Sequence, residues 1–177
     1  SAGFTHWAKL NNLKQAAKTM NFLTEHGIGS YGELESKLTA VSARRDAAHA
    51  ELKRVESRST ELALVMKHAA TYRQLKPLYD RYRKSGDKEK FLRGHESEII
   101  LFEAAARELK RLGAVPLPAT ESTKTELANL AAEKERLFAE YKAARSEVQE
   151  YETVKQNVDA LIAVPKEQEQ QRRHELE

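Results

Sequence analysis

Between Leu34 and Met66 the residues Leu34, Leu38, Val41, Arg45, Ala48, Leu52, Val55, Ser59, Leu62 and Met66 recur at steps alternating between four and three. A period of 3.5 residues places them on one stripe of an α-helix, and only Arg45 and Ser59 are polar. The run contains no proline and, after Gly32, no glycine, so nothing inside it breaks a helix. A stripe of this kind needs a second helix to cover it.

The chain supplies one. Leu127, Leu130, Lys134, Leu137, Tyr141, Ala144, Val148, Tyr151, Lys155, Val158 and Ile162 repeat the same alternation. Two heptad helices of similar length therefore flank a middle punctuated by Pro77, Ser85-Gly86-Asp87, Gly94, Gly113 and Pro116-Leu117-Pro118. The economical solution is an all-α fold: a long antiparallel coiled-coil hairpin of about 60 Å, with a small helical knob at its tip and an extra N-terminal helix. Pairing of each long helix with a second chain, a homodimer, is the alternative.

In order, residues 1–3 carry no weight in the reading and are taken as a remnant of expression, and the start lacks the apolar stretch of a signal peptide. Residues 4–164 form one helical domain. Within it, residues 4–27 make an N-terminal helix with the apolar stripe Trp7, Leu10, Leu13, Ala17, Met20 and Leu23, ended by Gly27. Residues 30–71 make the first long helix, opened by a Ser30/Glu33 capping box. Pro77 is expected to kink or stop it near Lys76.

Residues 72–119 make the knob: a short piece from Lys88 to Arg93 capped from Ser85-Gly86-Asp87, then a helix from Glu96 to Leu112 with Ile99, Phe102, Ala106 and Leu109 inward. Residues 120–164 make the second long helix, capped by Thr120 or Ser122 and ended by Pro165. Residues 165–177, nearly all charged or Gln, are expected to be a disordered or frayed tail. Arg45 and Ser59 are candidates to set register, with Arg45 near Lys155 and Ser59 nearer Tyr141.

Composition agrees with a helical reading and narrows the function. Among 177 residues, 32% are charged and 7% aromatic, with few glycines and prolines, where sheets would want β-branched and aromatic residues. The absence of cysteine excludes disulfides and thiolate metal sites and fits a reducing cytoplasm. No apolar run approaches the roughly 20 residues of a membrane-spanning helix.

The six histidines are scattered, and none lies in a zinc-binding spacing. His95 beside Glu96 and Glu98 reads as a helix start with acidic residues in its first turn. His26 reads as a surface residue in a last helical turn. No phosphate-binding glycine loop and no nucleophile elbow occur; Gly27-Ile28-Gly29 is a helix connector. The expectation is a chain with no catalytic residues, no metal and no cofactor.

Charge is concentrated at one place. From Lys67 to Arg93 nine bases (Lys67, Arg73, Lys76, Arg81, Arg83, Lys84, Lys88, Lys90, Arg93) meet three acids (Asp80, Asp87, Glu89). That window carries +6, so the remainder of a chain of net charge +3 carries −3. Tyr79 and Tyr82 lie among the bases, with Tyr72 and Phe91. Bases neutralise phosphates and rings stack on unpaired nucleobases, so this window is the candidate nucleic-acid site. The same residues also suit a knob whose aromatics form its core and whose bases keep it soluble.

The segment Leu10-Asn11-Asn12-Leu13-Lys14-Gln15-Ala16-Ala17-Lys18-Thr19-Met20-Asn21-Phe22-Leu23-Thr24-Glu25-His26 resembles relaxases encoded by conjugative transposons and mobilisable elements of Gram-positive bacteria. Tyr82-Arg83-Lys84-Ser85-Gly86, Leu117-Pro118, Glu133-Lys134, Ala139-Glu140-Tyr141 and Ala144-Arg145 follow in the same order. The similarity is to the region after the catalytic domain of MobA-type relaxases. Those enzymes nick DNA with a tyrosine and a metal held by a histidine cluster, and neither has a counterpart here.

The resemblance implies a non-catalytic C-terminal domain in the bacterial cytoplasm. Its partners would be transfer-origin DNA, the relaxosome or the coupling protein of a type IV secretion system. The rival expectation is a structural coiled-coil module that dimerises or spaces other domains and binds no nucleic acid.

Overall fold

The structure, a computed structural model, describes residues 2–176, and the side chains of residues 9–163 and 168–176. It is all-α, with helices α1 (Ala2–Glu25), α2 (Tyr31–Lys84), α3 (Lys88–Arg111) and α4 (Thr120–Glu175), and no strand among the described residues. The chain divides into two units, one of residues 1–49 and 138–177 and the other of residues 50–137.

In the first unit α2 and α4 run antiparallel. Tyr31 donates to Asp159 at 2.7 Å, Arg44 pairs with Glu147, and the His49 ring lies 5.3 Å from Tyr141. Between them Leu34, Val41, Val148, Tyr151 and Val154 are buried as one cluster. Each such side chain removed from water contributes about 1.5–3 kcal/mol.

The connector before α2 is built as glycine chemistry demands. Gly27 takes φ +63, closing α1, and Gly113 takes φ +68 after α3. Ser30 caps α2 by accepting from the Glu33 amide at 3.2 Å, while the Glu33 carboxylate reaches the Gly29 amide at 2.6 Å, one residue further back than a capping box requires.

Helix α1 turns a different face inward from the one its apolar spacing suggests. Leu10, Leu13, Ala17 and Met20 are exposed, Leu13 by 67%, and Trp7 lies outside the described side chains. The inward face is Ala16, Thr19, Phe22, Leu23 and His26. Asn157 of α4 donates to the buried Thr19 hydroxyl at 3.2 Å, and Phe22 meets Tyr151 edge-on at 5.1 Å. That polar bond and ring contact select the face. His26 is half-buried, stacked on Phe22 at 3.9 Å, and packs as part of the core edge instead of lying on the surface.

The heptad register also departs from expectation. Arg45 pairs with Asp46 on its own helix, and its neighbour Arg44 reaches Glu147, so Arg45 stands well short of Lys155. Lys155 instead sits 5.9 Å over the Tyr31 ring. The register follows from where α2 starts: with Tyr31 level with Asp159, no turn of α2 remains to cover Ile162, which is 45% exposed. Helix α4 nevertheless continues past position 165 to Glu175, so the expected stop at Pro165 and the disordered tail are not observed. The residues beyond it are strong helix formers, and Glu169 pairs with Arg173 one turn on at 3.1 Å.

In the second unit α2 and α4 are again antiparallel, through Arg54–Glu133 (3.2 Å), Glu56–Lys134 (3.3 Å) and Arg58–Glu126 (3.0 Å). Leu52, Val55, Leu62, Leu130 and Leu137 are buried between them. Ser59, half-buried, therefore lies near Glu126 and Leu130, not near Tyr141. Beyond Leu62 the buried positions are Val65 and Ala69, which cluster with Leu109 of α3.

Helix α4 starts at Thr120 with Ala119 in the cap position: the Thr123 amide donates to the Ala119 carbonyl at 3.1 Å. The Thr120 hydroxyl accepts from Arg73 instead, and so neither Thr120 nor Ser122 caps.

Candidate nucleic-acid interface

The residues from Lys67 to Arg93 all fall in the second unit, on the end of α2, the turn at 85–87 and the start of α3. Pro77 does not end α2, which continues to Lys84 and so extends the first long helix well beyond residue 71. An interior proline costs about 3 kcal/mol. It is offset here by ring packing on both sides of Pro77. Tyr72 stacks on Phe102 at 4.7 Å and Tyr79 stacks on the same ring at 4.2 Å, while Lys76 pairs with Asp80 at 2.9 Å.

Asp87 caps α3 by accepting from the Lys90 amide at 3.0 Å, as Ser85-Gly86-Asp87 suggests. The short piece and the longer helix expected there meet at His95, whose φ −141 and ψ 22 leave the helical region. The His95 Nδ1 is 2.8 Å from a Glu98 carboxylate oxygen, so the residue is bound within its own turn. Among the described residues no group of His, Cys, Asp and Glu is arranged to hold a metal ion. The inward residues of the second half of α3 are Ile99, Phe102, Ala105 and Leu109, with Ala106 half-buried beside them.

The rings form a chain. Tyr72 contacts Phe102, Phe102 contacts Tyr79, Tyr79 contacts Tyr82 at 5.9 Å, Tyr82 contacts Phe91 at 5.9 Å, and Phe91 contacts His95 at 4.8 Å. Phe102 is 5% exposed and the three tyrosines and Phe91 are half-buried. Tyr79 and Tyr82, singled out for stacking on bases, thus each pack against two protein rings, Tyr79 face to face with Phe102.

The bases divide into two groups. Lys76 is held by Asp80, whose carboxylate holds its ammonium above the ordinary lysine value. Arg73 donates to the Pro118 carbonyl at 2.7 Å and to the Thr120 hydroxyl at 2.9 Å, tying α2 to the connector before α4. Lys67, Arg81, Arg83, Lys84, Lys88, Lys90 and Arg93 are all exposed, and their charged side-chain groups make no hydrogen bond or ion pair among the described residues.

Helical spacing turns Arg81 and Lys84 away from the inward Tyr79. Arg81, Arg83 and Lys84 complement the negative C-terminal end of α2, but Lys88 and Lys90 sit in the first turn of α3, where the helix dipole disfavours cations. The helix dipole accounts for the three bases that end α2 but not for the two that open α3.

Compared with protein-family models, curated proteins and solved structures, the chain has no match. No helix among the described residues is long and apolar enough to cross a membrane.

Proposed function

We propose that this chain is a non-catalytic helical domain that holds DNA through the cations around the α2–α3 turn. It would serve a relaxase of a Gram-positive conjugative or mobilisable element, in the bacterial cytoplasm. The observation that carries the reading is the set of exposed, unpaired bases on Lys67, Arg81, Arg83, Lys84, Lys88, Lys90 and Arg93, two of them set against the dipole of α3. Each such cation releases counterions when it meets a phosphate, which is the main source of affinity for nucleic acid. The resemblance of Leu10–His26 and Tyr82–Gly86 to the region behind MobA-type catalytic domains supports transfer-origin DNA as the ligand. The relaxosome or a type IV secretion coupling protein would then dock elsewhere on the domain.

The test is the triple variant Arg81→Glu, Arg83→Glu, Lys84→Glu, assayed by gel shift on DNA at low salt. Loss of at least about tenfold in affinity is expected. An unchanged affinity rejects the reading.

A structural spacer or dimerisation module is the second reading, favoured by the engagement of every ring from Phe102 to Phe91 within the protein. A concentration-dependent dimer in sedimentation, without DNA binding, would establish it.

A further inference from the structure

We infer that the α2–α3 surface takes the phosphate backbone of duplex DNA and reads no bases; this rests on the DNA-holding reading above. Proteins that grip single strands combine a cationic track with aromatic faces on which successive bases stack. The cationic half of that apparatus is present, and the aromatic half is engaged in packing within the protein. Phe102, Tyr79, Tyr82 and Phe91 each touch two other rings, and Tyr79 lies nearly parallel to Phe102 at 23°. Phe102 is buried, Tyr79 gives a face to it, and Tyr82 and Phe91 are half-buried with each packed obliquely against two neighbouring rings.

Base reading by hydrogen bonds fares no better. Direct readout in the major groove uses several side chains that reach base edges from one helix or ribbon lying in that groove. Here the exposed bases are spread over the ends of two helices on either side of a turn, and not along one helix face. Arg73, the base that is fixed, spends its guanidinium on Pro118 and Thr120. What remains is a set of exposed point charges, and these respond to charge density. Duplex DNA presents one charge per about 1.7 Å of axis, and its slope of affinity against salt is steeper per contact than that of a single strand.

The experiment uses the whole chain and fluorescently labelled oligonucleotides of equal length: a mixed-sequence duplex, two duplexes of unrelated sequence, a thymidine single strand, and a single strand carrying abasic sites throughout. The expected order is duplex tightest, the duplexes within about twofold of one another, and the abasic strand equal to the thymidine strand. If the thymidine strand binds five-fold or more tighter than the abasic strand, or tighter than the duplex, bases are being stacked. The inference then fails while the DNA-holding reading stands. If one duplex binds ten-fold tighter than the others, sequence is being read, and the inference again fails alone. If none of the oligonucleotides binds at low salt, both fall.

Discussion

Tyr79 of α2 and Phe102 of α3 lie with their ring centroids 4.2 Å apart and their planes inclined by 23°. That stack fixes the end of α2 against α3 in the second unit and keeps the rings of the basic window inward. Phe102 contacts Tyr72 as well, so it is the centre of the arrangement. Replacing Phe102 with Ala should destabilise the protein by about 3–5 kcal/mol, the range for a buried aromatic truncated to Ala. Urea denaturation measures it, and a loss below about 1 kcal/mol would mean that the stack does not hold the helices together.

Two seam positions of α4 should behave in opposite ways. Leu137 is 4% exposed between α2 and α4, and Leu137→Ala should cost about 2–5 kcal/mol. Ile162 continues the same heptad pattern but has no turn of α2 over it, so Ile162→Ala should stay within about 0.5 kcal/mol of the parent. Equal losses at the two sites would show that the register ends later than Tyr31–Asp159.

Removing Asp87 separates stability from charge. Asp87→Ala deletes the side chain that accepts from Lys90 at the start of α3 and should cost about 1 kcal/mol. It also deletes an acid from the basic window, so DNA affinity should hold or rise. A parallel fall in stability and in affinity would instead tie binding to the geometry of the turn.

The Tyr31–Asp159 bond gives a pH dependence whose sign is fixed. Donation to Asp159 is the main cause that raises the Tyr31 phenol above its ordinary value, with desolvation and the Asp159 charge adding to it and Lys155 opposing. A group whose folded pKa is raised stabilises fully below its unfolded value, about 10 for tyrosine, and loses that contribution as pH rises through the folded value. The melting temperature of the parent should therefore exceed that of Tyr31→Phe at neutral pH, and the gap should close in strong alkali. A gap of constant size would place the stabilisation elsewhere.

The two long helices were legible because a 3.5-residue period is a direct image of helix packing. Every predicted position from Leu34 to Met66 is buried or half-buried. What the period cannot encode is where pairing begins. Ile162 carries the pattern as well as Val158 does, and only the start of α2 at Tyr31 distinguishes them. Helix α1 shows the reverse failure: its apolar spacing points to Leu10, Leu13 and Met20, but the buried Thr19 and its bond from Asn157 lie on another face. A polar residue chosen for one long-range hydrogen bond leaves no mark on a hydropathy pattern.

The same limit applies at Pro77, where rings distant in sequence outweigh a local breaker. In the basic window the charge was legible as a count. The division between Arg73 and Lys76, which are engaged, and the unpaired bases around the turn depends on contacts to Pro118, Thr120 and Asp80.

The slope of DNA affinity against salt tests the central claim most directly. Duplex binding by the parent chain, titrated between about 50 and 200 mM salt, should fall linearly on logarithmic axes with a slope of several units. The variant Arg81→Glu, Arg83→Glu, Lys84→Glu should bind more weakly and show a slope shallower by about three contacts at 0.9 each. Binding that ignores salt, or a slope and affinity that survive the reversal unchanged, would contradict a phosphate-holding surface on the α2–α3 turn.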